Sequence, residues 1–331
     1  MERRCDICQE NEAIYTDYSR GVSLCTNCLK SSIRRRAWAV LENELQEGDK
    51  IVVAHSGGKD SSLALYITKE FIDTHPDMKL NLVSLTIDEG TFYRKASIEL
   101  AKKLAEKLGI RYIVFTMEDI HGISIEDIKV NIPKNWRRSV CTYCGVLRRQ
   151  AINAVARELG ASVVITGHNL DDIVQTSVMN IARGDVNALV KTLRHERRIG
   201  EGLIPRIRPL KYVYEREVAA LVIALGIPAH LGKCPFTQGM RIGIRRVIDE
   251  LEDEASGSKI RALRSFYLIT RSIKPRVEIK RCKVCGEPTT ADLCKACQFK
   301  RELSDFFGKD LLKPPSFEKA SSEKEWIWSN R

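Results

Sequence analysis

The chain reads as an α/β protein, a doubly wound parallel sheet with a small cysteine-rich module at each end. Three observations predict this. Short apolar runs alternate with longer amphipathic segments, the pattern of a parallel sheet covered on both faces. A glycine-rich loop, Ser56-Gly57-Gly58-Lys59-Asp60-Ser61, joins one apolar run to the amphipathic segment after it. The eleven cysteines fall into CxxC pairs with one left over.

Taken in order, residues 1–30 hold Cys5, Cys8, Cys25 and Cys28. Four thiolates in a CxxC…CxxC pattern form a tetrahedral zinc site. A linking helix is expected over 31–47, in particular Ser31–Leu45, carrying Arg34-Arg35-Arg36. The central domain spans 48–275. Its expected strands are Lys50–Ala54, Leu80–Ile87, Arg111–Phe115 and Ser162–Thr166. Its expected helices are Ser62–Phe71, Tyr93–Leu108, Gly145–Leu159 and Leu170–Ile181, with Gly109 and Gly160 where C-terminal caps belong. An amphipathic helix is expected near Tyr214–Leu225, and one or two helices over Arg245–Thr270. A second zinc module at 278–300 uses Cys282, Cys285, Cys294 and Cys297, with Gly286 suited to its tight turn. The tail after Cys297, with 301–331 as its own segment, reads as extended or weakly ordered.

Ligands in doubly wound sheets sit beyond the C-terminal strand ends. Three expected strands end at Ser56-Gly57-Gly58, Asp88-Glu89-Gly90 and Gly167-His168-Asn169, so the chemistry converges on one edge. In the glycine-rich loop, two glycines let backbone approach an anion. The amides of Gly58 to Ser61 open a helix toward negative charge. Lys59 adds a positive charge, and Ser56 and Ser61 add hydroxyls. The spacing is not the Walker pattern, and a glycine turn alone is the plain alternative. Asp88 is either a strand-ending turn residue or a ligand to ribose or magnesium. Asn169 caps a helix whose first turn holds Asp171 and Asp172, and His168 reads equally as a satisfied polar residue. Cys141 and Cys144 form a lone CxxC, and Cys234 is the odd cysteine. Three such cysteines suit a 4Fe-4S cluster with one iron open, persulfide chemistry, or plain packing. Arg148 stands one helical turn beyond Cys144, able to touch phosphate or steady a negative cluster, while Arg149 is as well read as a solvated face.

The net charge of +11 favours a polyanionic partner, nucleic acid before membrane surface. The excess clumps, at Arg34-Arg35-Arg36, Arg137-Arg138, Arg148-Arg149, Arg197-Arg198, Arg206 with Arg208, and Arg245-Arg246. No apolar run has the length of a bilayer span, and the N-terminus lacks the apolar core of a signal peptide. A cytoplasmic protein that does not enter membranes is therefore expected, consistent with paired CxxC motifs in a reducing compartment.

Ser56–Ser61 matches the PP-loop of N-type ATP pyrophosphatases at all six positions. Together with Asp88-Glu89-Gly90, Cys141-Thr142-Tyr143-Cys144-Gly145, Gly167-His168-Asn169-Leu170-Asp171-Asp172, Met179-Asn180, Arg183-Gly184-Asp185 and Cys234-Pro235, it makes the chain resemble the tRNA 2-thiouridine synthetases of the TtuA and NcsA type. The likeness covers residues 1 to about 300. It implies a homodimer that adenylates a tRNA uridine with ATP and magnesium, then replaces the carbon-2 oxygen with sulfur. The implied sulfur donor is free sulfide or a ubiquitin-like carrier. The implied 4Fe-4S ligands are Cys141, Cys144 and Cys234, and the implied catalytic acid is Asp172. ATP is expected along Ala54, His55, Ser56, Gly57, Gly58, Lys59, Asp60, Ser61, Asp88, Arg148 and Gly167, with adenine read partly by backbone near Ile87. Some relatives carry Lys where Arg148 stands, so Arg148 suits phosphate binding better than proton transfer. For the target, the segment Asn131-Ile132-Pro133-Lys134-Asn135-Trp136-Arg137-Arg138 resembles the branch acting on wobble uridine 34 rather than T-loop uridine 54. Trp136 is there either an exposed stacking platform for unpaired bases or part of the core.

Overall fold

The computed structural model describes residues 3–133, 136, 138–193, 204–232, 234–236, 239–273 and 279–315. Lys134, Asn135, Arg137, Arg197, Arg198, Lys233, the junction at 274–278 and the segment 316–331 lie outside the described residues.

A hairpin, β1 (Tyr15–Asp17) and β2 (Val22–Leu24), leads into helix α1 (Thr26–Glu44). Then come β3 (Lys50–Ala54), α2 (Lys59–Thr74), β4 (Asn81–Asp88), α3 (Arg94–Lys107) and β5 (Arg111–Thr116). Two short helices, α4 (Met117–His121) and α5 (Ile125–Asn131), precede α6 (Val140–Glu158), β6 (Val163–Thr166), α7 (Leu170–Ala182) and α8 (Val186–Leu193). The chain continues through β7 (Arg206–Ile207), α9 (Glu215–Ala224), α10 (Met240–Glu254) and α11 (Ser258–Arg271). A second hairpin, β8 (Lys280–Arg281) and β9 (Pro288–Thr289), ends in α12 (Lys295–Phe307).

The central sheet has five parallel strands in the order β5-β4-β3-β6-β7. The chain steps outward from β3 to β5, then returns to the other side of β3. The topological switch point, where such folds bind ligands, therefore lies between the ends of β3 and β6. Strand β3 shows why both faces are covered. Val52 packs into a core with Met117, Tyr143, Leu147 and Phe299, while Ile51 and Val53 pack into another with Ile33, Leu41, Phe71 and Leu221. A side-chain period of two sends these residues to opposite faces, and each face meets helices. The terminal modules belong to these cores. Leu24 and Leu29 join the second, and Cys282, Cys294 and Cys297 join the first. A third apolar cluster packs Leu170, Ile173 and Val174 of α7 against Ile248 and Leu263. Among the described residues no helix is long and apolar enough to cross a membrane.

The four expected strands and the helices of the central α/β region occupy their expected places, with ends shifted by a few residues. Helix α6 begins earlier than expected, at Val140, so the CxxC lies inside its first turns. One expectation is corrected, and one open pair of readings is decided. The first part of the region after Cys297 is not extended: α12 runs to Phe307, because Phe299, Leu303 and Leu311 bury their side chains against the sheet-side core. Of the two readings of Trp136, packing holds: the half-buried ring lies against the core. Its indole Nε1 donates to Tyr143 Oη at 3.0 Å, and its ring meets Phe306 edge-on at 4.9 Å. A helix the sequence reading left out supplies that neighbour.

Candidate active site

At the switch point, residues from β3, β6, α6 and α7 enclose a cleft of about 230 Å³. Ala54, His55, Ser56, Gly58, Asp60, Ser61, Arg148, Gly167 and Asp172 line it, together with Leu85, Ile87, Arg149, His168 and Arg206. The glycine-rich loop turns sharply between β3 and α2. Gly57 has φ +72°, and a Cβ there would stand 1.9 Å from the Ser97 carbonyl oxygen. Gly167 lets β6 press against the start of α2, since a Cβ there would meet the Ser61 nitrogen at 2.5 Å. Ser61 Oγ donates to the Gly58 carbonyl at 3.0 Å and accepts from the Ser56 amide at 3.1 Å. The loop is also paired from outside: the His230 amide donates to the Gly57 carbonyl at 2.7 Å. A bridge between Gly58 and His230 thus docks the segment bearing Cys234 onto the loop.

The start of α2 borders the cleft through Gly58, Asp60 and Ser61, the kind of helix end that receives anions, while the Lys59 amide donates to the His230 carbonyl at 3.3 Å and the Gly58 amide to Ser56 Oγ at 3.4 Å. Lys59 Nζ contacts Asp60 Oδ2 at 2.8 Å and Glu215 Oε1 at 2.9 Å, acids that hold its charge in place. Asp60 Oδ1 accepts from Asn169 Nδ2 at 2.9 Å, which ties the α2 start to the α7 start. Asn169 and Asp172 form a reciprocal capping box. Asp171 is buried, accepting from Lys259 Nζ at 2.5 Å and from the Glu215 amide at 2.7 Å, so it is structural. Asp88 takes the turn role, its Oδ1 accepting from the Gly90 amide at 2.8 Å. His55 presents backbone to the cleft while its ring is buried between Ser84 at 3.1 Å and Ser62 at 3.0 Å. Burial pushes its pKa down to about 4, with the Arg94 charge adding to this, so the ring is neutral.

The cations are organised by an acid. Glu89, fully buried, pairs with Arg94 at 2.6 Å and Arg148 at 2.9 Å, and Arg94 donates to the Ser56 carbonyl at 2.8 Å. Arg148 is thereby fixed to the loop. His168 Nδ1 bonds Thr166 Oγ1 at 2.9 Å. Desolvation by the cleft walls, then Arg208, Arg206, Arg148 and Arg149, push its pKa down to about 3, although solvent still reaches the ring.

Asp172 is moved the other way. Desolvation first and the Asp60 charge second raise its carboxyl from 3.8 to about 6. Above that pH the ionised carboxylate opposes folding. Protonation relieves the cost progressively as the pH falls from 6 toward the unfolded value. Asp172→Asn is therefore expected to raise the melting temperature of the ligand-free protein at pH 8. The gain should shrink as pH drops through 6 and vanish near 4. The side chain is 36% exposed, so the gain is about 1 kcal/mol rather than the full linkage value. Melting curves across pH check this, and a shift independent of pH would refute it.

Cys141, Cys144 and Cys234 gather beside the cleft. Cys141 Sγ donates to the Phe236 carbonyl, Cys234 Sγ lies 3.1 Å from Tyr93 Oη, and Cys144 feels the charges of both other cysteines. Burial raises the Cys144 thiol to about 11, with Arg148 opposing. Among the described residues only Cys5, Cys8, Cys25, Cys28 and Cys282, Cys285, Cys294, Cys297 bring their ligand atoms within 4.8 Å of one another. The third set stands wider than one ion would hold it, as a cubane's ligands must. Three thiols, one exposed and two half-buried, with the Arg148 cation beside Cys144, fit such a cluster.

Glu89 stands in the sequence only as part of Asp88-Glu89-Gly90, with no role of its own, and Arg94, Tyr93 and Glu215 carry no site signal there. The acids were legible only as turn and helix residues, because their partners are distant in sequence or on other elements.

A PP-loop domain profile matches residues 29–228. The tRNA 2-thiolation protein NcsA of Haloferax volcanii is 32% identical over 316 residues, covering 89% of this chain and 97% of its own. The tRNA-5-methyluridine(54) 2-sulfurtransferase of Pyrococcus horikoshii is 30% identical over 311 residues, covering 91% and 96%. The solved U34-tRNA thiolase NcsA from Methanococcus maripaludis, described with its [4Fe-4S] cluster, superposes with a TM-score of 0.76 at 29% identity, covering 91% and 96%.

Proposed function

Because this chain belongs to the PP-loop family of NcsA- and TtuA-type tRNA sulfurtransferases, we propose that it converts a tRNA uridine to 2-thiouridine through an adenylated intermediate. The observation that carries the reading is the convergence at one switch point of an anion-binding loop, a carboxyl held near neutrality and three thiols.

ATP lies with adenine against backbone near Ile87 and its phosphates on the loop, and magnesium accompanies the phosphates. The uridine leaves its stack to reach the cleft. Its carbon-2 oxygen forms a bond to the α-phosphorus, and the bond from that phosphorus to pyrophosphate breaks. Pyrophosphate departs into the glycine-rich loop at the start of α2, and Lys59 balances its charge. Arg148, fixed by Glu89, faces the phosphates. Asp172, poised near neutrality, is the group placed to move a proton at the base. Sulfide, free or released by hydrolysis of the carbon–sulfur bond of a ubiquitin-like carrier's thiocarboxylate, then adds at carbon 2, and AMP leaves with the original oxygen. Cys141, Cys144 and Cys234 would hold a 4Fe-4S cluster, whose open iron supplies a Lewis acid that lowers the proton affinity of sulfide.

The two four-cysteine groups hold zinc as structural staples. Cys282 is 4% exposed within the sheet-side core. Cys282→Ala is expected to lower bound zinc from about two ions to about one, depress stability and weaken tRNA binding more than ATP binding. Metal analysis with both binding assays checks this, and unchanged zinc would show the C-terminal group misread. The working form is a cytoplasmic homodimer.

The target is uridine 34. With Trp136 in the core, the support for 34 over 54 is the likeness to the U34 thiolase fold, against a Pyrococcus relative named for position 54. The test is position mapping of 2-thiouridine in tRNA for lysine, glutamate and glutamine after incubation with enzyme, ATP and sulfide. Sulfur at 34 is expected. Sulfur only at 54 would refute the position, and none anywhere would refute the reaction.

A further inference from the structure

We propose that the groove between α1 and α11 is a docking surface for the sugar-phosphate backbone of the substrate RNA, separate from the cleft. This rests on the tRNA reading above. The groove encloses about 1520 Å³, against about 230 Å³ for the cleft. Small-molecule pockets run to roughly 1,000 Å³, so the larger space suits a length of polymer.

Its walls explain which polymer. Helix α1 contributes Arg35, Ala39 and Asn43, four residues apart and so on one face. Helix α11 answers with Arg261, Arg264 and Leu268, again on one face. Arg20 and Lys211 also line it, but Lys211 is buried. The acids in the lining are Asp17 and Glu44, each 5% exposed. Asp17 is engaged by Arg20 at 2.5 Å, while Arg36 is spent on Glu217 at 2.5 Å. Arg35 and Arg264 stand exposed on opposite walls. What the groove offers outward is therefore cationic from both sides, with tyrosines 212, 214 and 267 between. Guanidinium walls facing each other match a chain of phosphates, and a concave groove does not match a flat membrane surface.

The α11 wall is anchored, not pendant. Glu252 accepts from the amides of Gly257 at 2.6 Å and Lys259 at 2.7 Å. Lys259 Nζ joins Asp171 to Asp249, at 2.5 Å each. Asp171 precedes Asp172 at the start of α7. One wall of the groove and one wall of the cleft are thus fixed to the same helix, so RNA held in the groove has a defined register to the chemistry.

The test compares wild type with Arg35→Glu/Arg264→Glu and a charge-matched control, Lys79→Glu/Lys102→Glu, whose lysines are 76% and 57% exposed elsewhere. Binding of unmodified tRNA is measured across a potassium chloride series, with ATP binding, melting temperature and light-scattering mass alongside. The groove variant is expected to bind tRNA at least about tenfold more weakly, with a salt slope shallower by about one to two. Its ATP affinity and melting temperature should match the control. Affinity equal to the control would overturn the groove assignment alone. Retained affinity with a smaller mass would make the groove an interface between copies. Wild type that binds no tRNA would overturn the groove and the tRNA reading together.

Discussion

Gly57→Ala is expected to reduce pyrophosphate release by more than a hundredfold, whereas Gly58→Ala one position on should leave much of it. The two glycines differ in what a methyl group would meet. At Gly57 the backbone has φ +72°, and the new Cβ would lie 1.9 Å from the Ser97 carbonyl oxygen, with the Ser97 carbonyl carbon at 2.7 Å. Neither neighbour is the end of a flexible side chain. Backbone of α3 would have to move, at a cost of a few kcal/mol once the left-handed strain of about 1–2 kcal/mol is included. The loop yields first. When it does, the His230 amide loses the Gly57 carbonyl at 2.7 Å, and the amides of α2 no longer converge on one point. A displacement of about 1 Å at a phosphate-binding loop costs on the order of a hundredfold in rate. At Gly58, φ is −79°, and the nearest atom to a new Cβ is Ser56 Oγ at 3.5 Å, an ordinary contact. Pyrophosphate release with tRNA, ATP affinity and melting temperature for both variants decide the matter. Gly57→Ala working as well as Gly58→Ala would mean the loop tolerates the shift and does not set the rate.

The same loop shows what the sequence carries by itself. Six consecutive residues between an apolar run and an amphipathic segment specify a strand, a turn and a helix start, because local sterics and amide geometry decide all three. Strand β3 ends at Ala54, where its apolar run ends, since burial on both faces demands unbroken apolar character. The spacing of CxxC pairs likewise brings eight thiols into two groups, because each hairpin is short enough to close on itself. What stays hidden is long-range. Glu215 lies on α9 yet holds Lys59, and no local pattern joins them. Glu89 reads as a turn residue until the fold sets Arg94 and Arg148 on either side. Trp136 is ambiguous alone because an aromatic flanked by cations looks the same whether it stacks on a base or packs edge-on against Phe306. Only the fold of α12 decides it. That helix was itself obscured by the charge-rich composition around it, though Phe299, Leu303 and Phe307 recur at helical spacing.

Cys234→Ala is expected to abolish 2-thiouridine formation while leaving tRNA binding and ATP binding near wild type. Cys234 is exposed and its Sγ meets Tyr93 Oη at 3.1 Å, so truncation opens no core cavity and should cost little stability. Its location is set by backbone instead. The Gly58–His230 bridge fixes the segment against the loop, and the Phe236 carbonyl accepts from Cys141. The third sulfur is thus carried to the other two by the same segment that braces the phosphate site. Removing it leaves Cys141 and Cys144 on α6 with two ligands where three are needed to leave one iron open. Anaerobically prepared wild type should carry about four irons per chain and a broad visible absorption. Cys234→Ala should lose most of both, even before any turnover is measured. Pyrophosphate release should persist, because the loop, Lys59 and Arg148 are untouched. Loss of pyrophosphate release along with thiolation would place Cys234 in the adenylation step. Normal thiolation by a preparation shown to be free of iron would instead favour sulfur carried as a persulfide on the cysteines themselves.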